Sequence, residues 1–201
     1  MIYKYSDFYP FMVDNLPGCP TIEKLQKLRQ AFRTLAMETE SWTEELAKVN
    51  LVANQQDYVL RPTFDGLVKR IMWVEISGGQ QSRLHYEVKD QRTLRWKTDW
   101  IPATSITSGL QVKIALYPDV ESKTVVPDFF TLHFEGILAL ALNLLQDMNR
   151  TKWHNPALAA KNLAKYRKRY NVALRSKYLG QKAGGLQMNL TGRTGRSGAF
   201  A

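Results

Sequence analysis

One cysteine, Cys19, serves the whole chain of 201 residues. No intramolecular disulfide is open to it, and the sequence fits a reducing compartment. Cys19 sits in a turn with no basic partner nearby in sequence, so it is not expected to be a nucleophile. Histidine is almost as scarce, with His85, His133 and His154 scattered along the chain. His133 and Glu135 are two apart on a predicted helix and point in different directions. His85 and Glu87 share a strand face of the kind that usually decorates a surface. A phosphate loop is missing as well. "GRTG" near the C-terminus matches on paper the loop with which KH domains hold a nucleic-acid backbone, but that loop must join two helices inside a fold. These absences predict a chain that is not an enzyme and has no catalytic residues, no metal and no cofactor.

Long apolar runs are also lacking. The most apolar stretch, Ile137 to Leu145, contains Asn143 and lies between Glu135 and Asp147. It is too short to span a bilayer and reads as a buried helix, so no membrane partner is expected. Lys4, Asp7 and Asp14 interrupt the opening segment, which therefore does not read as a secretory leader. The sequons at Asn149 and Asn189 carry little weight without secretion.

The most informative absence is of acid. Residues 150–201 carry 12 Lys/Arg and no Asp or Glu, whereas residues 1–149 carry 16 Lys/Arg against 18 Asp/Glu. The net charge of +10 therefore belongs to the last quarter of the chain. Such asymmetry points to an acidic partner there, either nucleic acid or an acidic protein surface.

What is present is ordinary enough to fold. A composition 44% hydrophobic and 23% charged allows a core of normal size in one domain. Phe8, Phe11 and Met12 predict a helix over 5–15, ended by "LPGCP". Ile22, Leu25, Phe32 and Leu35 keep a three-to-four spacing and predict a helix over 21–38, with Thr21 as its cap and Trp42 plugging against the core just beyond. Short β-rich stretches fill about 49–118. Within them Ile71 with Trp73, and Leu84 with Tyr86 and Val88, alternate as strand residues do, while "SGGQQS" predicts a hairpin turn. Helices return over 128–148, apolar nearly all round and so expected to be covered on every side, and over 156–178, with Asn155 as N-cap, Pro156 at the first position and Gly180 as stop. In the last helix Ala159, Leu163, Tyr166, Tyr170 and Leu174 form the predicted buried stripe. Lys161, Lys165, Lys168 and Arg175 line the opposite side, either as a solvated face or as one turned toward DNA or an acidic partner. The fold class expected is α+β: a helical body of two N-terminal and two long C-terminal helices spanning 1–179, a small inserted antiparallel β-domain, and an extended C-terminal tail over 180–201.

The series "LPGCP", "TIEKLQKLRQAFRTLAMETESW", "NQQDYVL", "VKRIMWVEI", "VKIALYP", "VPDFFTLHFEGILALALNLLQ" and "KWHNPALAAKNLAKYRKRYNVAL" resembles, in that order over residues 3–178, the bacteriophage head–tail connector proteins called adaptors, of podovirus-like and related tailed phages. A cysteine common in that family near the end of the second helix is absent here, where Met37 stands in "LAMET". The resemblance implies a structural virion protein at the head–tail junction, assembled in the cytoplasm of a bacterial host. It implies a homo-oligomeric ring of about twelve copies, a dodecamer, between the portal protein and a tail or nozzle protein. Double-stranded DNA would pass through the ring without sequence-specific binding.

The tail is expected to dock on the portal. Its glycine-rich composition cannot offset its own ordering entropy by local burial. Leu186, Met188, Leu190 and Phe200 are nonetheless apolar handles, and Lys182, Arg193 and Arg196 supply charged donors. The segment "LQMNL" could add to a sheet edge on a neighbour. The alternative is a basic nucleic-acid-binding module using the last helix and the tail.

Overall fold

The computed structural model describes residues 3–13, 15–64, 66–119, 124–125 and 127–182, with side chains over 5–13, 15–64, 66–119 and 132–175. The chain opens with a short strand, β1 (Tyr3–Lys4), one turn of 3-10 helix (Tyr5–Phe8) and a single helical turn, α1 (Pro10–Val13). The first long helix is α2 (Thr21–Thr39). Then come β2 (Thr43–Glu45), β3 (Val49–Leu51), β4 (Asp57–Val59), β5 (Gly66–Ile76), β6 (Gly79–Gln80), β7 (Tyr86–Lys89), β8 (Thr93–Trp96) and β9 (Ile106–Pro118). The pair β10 (Thr124–Val125) and α3 (Pro127–Gln146) follows, and α4 (Pro156–Lys182) comes last.

The helical body expected from the sequence is not the architecture found: strands dominate the core. The spine is β9, with β5 antiparallel on one side and β2 and β3 in succession along the other. Adjacent residues Ile114, Ala115, Leu116 and Tyr117 are all buried. Successive strand residues face opposite ways, so both faces of this stretch are covered. A strand covered on both faces belongs to the centre of a molecule, not to a peripheral insertion. A three-stranded sheet, β4-β8-β7, joins it through Gln91: Val68 donates its N–H to the Gln91 carbonyl (2.9 Å), and the Tyr117 hydroxyl donates to Gln91 Oε1 (3.0 Å).

Helix α2 packs on both β9 and α3 and buries Leu28, Ala31, Phe32, Leu35 and Ala36. Phe32 stacks on Trp42 with ring centroids 5.7 Å apart, and Tyr5 meets Phe32 edge-on at 6.1 Å. Burying a side chain such as Phe32 contributes about 1.5–3 kcal/mol. The Trp42 carbonyl accepts the Leu116 N–H at 2.8 Å, tying the helix exit to the spine strand. A Cβ at Gly66 would stand 3.0 Å from the Trp42 ring, so any larger residue at the start of β5 requires the tryptophan to shift.

Several local expectations are corrected. The helix over 5–15 is broken into the 3-10 turn and α1, because Pro10 has no N–H to continue a helix from the residues before it and disfavours helical backbone at Tyr9. Thr21 does not cap α2. Pro20 holds the cap position without a side-chain bond, and the Thr21 hydroxyl donates to Tyr9 Oη at 3.2 Å. In β5 the register shifts twice, between Val68 and Arg70 and between Ile71 and Trp73. The buried series therefore runs Gly66, Val68, Ile71, Val74, and Trp73 does not join Ile71 in the core. Leu84 lies outside β7 and is exposed. In the "SGGQQS" hairpin the positive φ values fall on Ser77 (49°) and Gly78 (86°), not on Gly79. Finally, α4 continues through Gly180 to Lys182, so residues 180–182 are helical where an extended tail was expected.

Candidate functional site

Two helices build the site: α3, which carries no Lys or Arg, and the basic α4. At the start of α4 the Asn155 side-chain oxygen accepts the Leu158 N–H at 3.1 Å, with Pro156 in the first helical position. The Asn155 N–H donates to the Gln146 carbonyl at 2.9 Å, which fixes the turn between α3 and α4. The two helices then run antiparallel. Asn143 Nδ2 donates to the Ala159 carbonyl (3.1 Å), and Asn162 Nδ2 donates to Gln146 Oε1 (2.8 Å). Further along, Gly136 faces the stem of Arg169, which a Cβ would meet at 3.0 Å. Arg169 also pairs with Glu135 one residue away.

Between these two clamps the helices leave a groove of about 500 Å³. Helix α3 supplies Leu138, Ala139 and Leu142 as its floor and Glu135 at one end. Helix α4 supplies Asn162 at the other end and a rim of Lys165, Lys168 and Arg169. Arg169 is neutralised by Glu135. Among the described residues no ion pair engages Lys165 or Lys168. Glu38, exposed on α2, accepts a hydrogen bond from the buried Tyr166 hydroxyl at 3.1 Å. Burial, and then Glu38, push that phenol above the usual tyrosine range. On α3, burial holds His133 below the usual histidine range, so at neutral pH it adds no charge beside the groove. The arrangement is an apolar trough with two free cations along one side.

The stripe Lys161, Lys165, Lys168 and Arg175 is exposed on α4. The groove brings Lys165 and Lys168 together with Arg169; Lys161 and Arg175 do not line it. On the inner side Ala159 and Tyr166 are buried and Leu163, Tyr170 and Leu174 half-buried, joined by Asn162 and Ala173. Helix α3 is not covered on every side: Leu132 is 78% exposed. The Lys182 side chain and residues 183–201, with Leu186, Met188, Leu190, Arg193, Arg196 and Phe200, lie outside the described residues. Sequence reasoning missed Glu135, Leu138, Ala139, Leu142, Asn162 and Arg169 as one constellation. The only advance signal was the opposite charge of Glu135 and Arg169, which means nothing until the helix register is known.

Elsewhere the thiol of Cys19 is buried, and burial raises its pKa against the opposing pull of Lys24. Among the described residues no group of three His, Cys, Asp or Glu side chains could hold a metal ion, and no helix is long and apolar enough to cross a membrane. No protein-family model and no curated protein matches the chain.

Proposed function

We propose that this chain is the subunit of a phage head–tail connector, a structural virion protein whose ring joins the portal to the tail and continues the DNA channel. The division of charge is in keeping with this reading. Residues 1–149 are close to neutral, with 16 cations against 18 anions, while residues 150–201 hold 12 cations and no anion. The observation that carries the reading is the ordered motif series over residues 3–178. The helical body plays no part in it.

In this reading the C-terminal tail docks on the portal through Leu186, Met188, Leu190 and Phe200, with Lys182, Arg193 and Arg196 pairing with acids. Lys161, Lys165, Lys168 and Arg175 offer passing DNA no more than a modest, screened attraction. Mixing the purified chain with portal and imaging the product tests the proposal. Rings on the portal are expected, and deletion of residues 183–201 should abolish them. Portal binding that survives the deletion removes the tail from the interface, and failure of the full chain to form rings overturns the connector.

The exposed, unpaired cations of α4 favour a second reading, a nucleic-acid-binding module using the last helix and tail. That reading requires duplex DNA to be shifted at moderate salt without portal, with affinity falling steeply as salt rises.

A further inference from the structure

We propose that the groove between α3 and α4 is a docking site for an acidic, amphipathic segment of a partner protein. An apolar side chain of the segment enters the trough floored by Leu138, Ala139 and Leu142, and its carboxylates meet Lys165 and Lys168.

Three observations select this occupant. The first is shape and polarity. An apolar floor does nothing for a phosphodiester, so a surface built for DNA gains nothing from the trough, whereas a leucine-bearing peptide gains from burial there. The second is charge. Arg169 is already paired with Glu135, so the cations left over are Lys165 and Lys168, four and seven residues after Lys161 on one helix face. Their sign also rejects the chain's own tail, since residues 183–201 carry Arg193 and Arg196 and no acid. The third is continuity. Leu132 lies three residues before Glu135, and Val172 three after Arg169, which places both one turn beyond the ion pair on the groove-facing rows. They are 78% and 52% exposed. Apolar surface thus reappears on the far side of the ion pair, so a segment that crosses Glu135 and Arg169 meets it at both ends. Exposed ion pairs alone bind weakly, so the floor supplies the affinity and the lysines select the sign of the guest.

The test uses the full chain and labelled helical peptides, and is independent of the connector reading, because neither portal nor ring is present. One peptide carries leucines on one face and glutamates on the other; a polyglutamate of equal charge and a duplex DNA are the comparisons. The amphipathic peptide is expected to bind at least tenfold more tightly than polyglutamate and to resist competition by DNA. The double variant Lys165→Gln, Lys168→Gln should weaken it about tenfold, while Lys161→Gln with Arg175→Gln should leave it within twofold. Leu138→Ser, in the half-buried part of the floor, should weaken the peptide and leave polyglutamate unchanged. Thermal melts of each variant separate lost binding from lost folding. Equal binding of both peptides, equal effects of the two cation pairs, or displacement by DNA would each overturn the proposal. A large gain in peptide affinity on deleting residues 183–201 would do so too, by showing that the tail occupies the groove.

Discussion

Gly109 shows how much a single position can be constrained by its neighbours. A Cβ there would lie 2.6 Å from Ile106 Cγ2 and 2.7 Å from Ile106 Cβ, closer than atoms can approach. The next residue back, Ser108, has φ of 48° and its N–H held by Asn50 Oδ1 at 2.8 Å, so the backbone has little freedom to give way. Gly109→Ala is expected to cost about 1–3 kcal/mol, read as a lowered urea midpoint; an unmoved midpoint would show that β9 yields there. Asp57 supplies a pH dependence. Its carboxylate takes two bonds from Arg95, at 2.7 and 2.9 Å, with Lys89 at 3.5 Å, and the Arg95 hydrogen bond above all holds it below the usual range. A carboxyl lowered by folding stabilises the fold above its unfolded pKa of about 3.9 and loses that contribution as pH falls toward its folded value. Asp57→Asn should therefore melt below the parent at neutral pH, with the gap closing under about pH 4. A gap that stayed constant with pH would refute the assignment. Of these residues the sequence disclosed none, because the demand on Gly109 comes from the turn of Ile106, and Arg95 meets Asp57 only across a strand pair.

At the scale of elements, α4 begins where its own letters say it should. Asn155 bonds the Leu158 N–H and Pro156 opens the helix, both local effects that need no tertiary partner. Asn155→Ala should cost about 1 kcal/mol of stability, measured by thermal or urea unfolding. No loss would mean that packing on α3 holds the helix end unaided. Helix α2 was equally legible as a helix, since an apolar row at helical spacing is a property of the segment itself, though Ile22 at the head of that row is exposed. The elements that misled did so for the opposite reason. Gly180 weakens a helix by only about 1 kcal/mol, so it does not force a stop. The alternation in β5 is broken by two register shifts imposed by its neighbour β9. The all-apolar α3 was expected to be covered on all sides, yet Leu132 is exposed at the end of the groove.

At the scale of the whole molecule, the uneven charge should govern association. If the near-neutral body of one copy meets the cationic end of another, assembly is favoured at low salt. It should fall as the screening length shrinks from about 10 Å at 0.1 M to about 3 Å at 1 M. Sedimentation of the chain with portal across that range checks this, and assembly indifferent to salt would remove charge as the organising force. The helical body was misjudged at this scale. "VKIALYP" contains five consecutive buried residues, Ile114 to Pro118, a pattern that a segment shows only when covered on both faces. Read alone, the run identifies a strand but not its place, which pairing with β5 on one edge and with β2 and β3 on the other decides.

The chain's own letters determined the quantities that are sums or local rows: the charge division, the single thiol, the start of α4 and the periodicity of α2. These follow from composition and near-neighbour chemistry. Tertiary structure decided that β9 is the spine of the core, that Gly66 lies hard against Trp42, and that Lys165 and Lys168 border an apolar trough while Lys161 and Arg175 do not. Each of those depends on the distance between residues far apart in the chain, which packing alone sets.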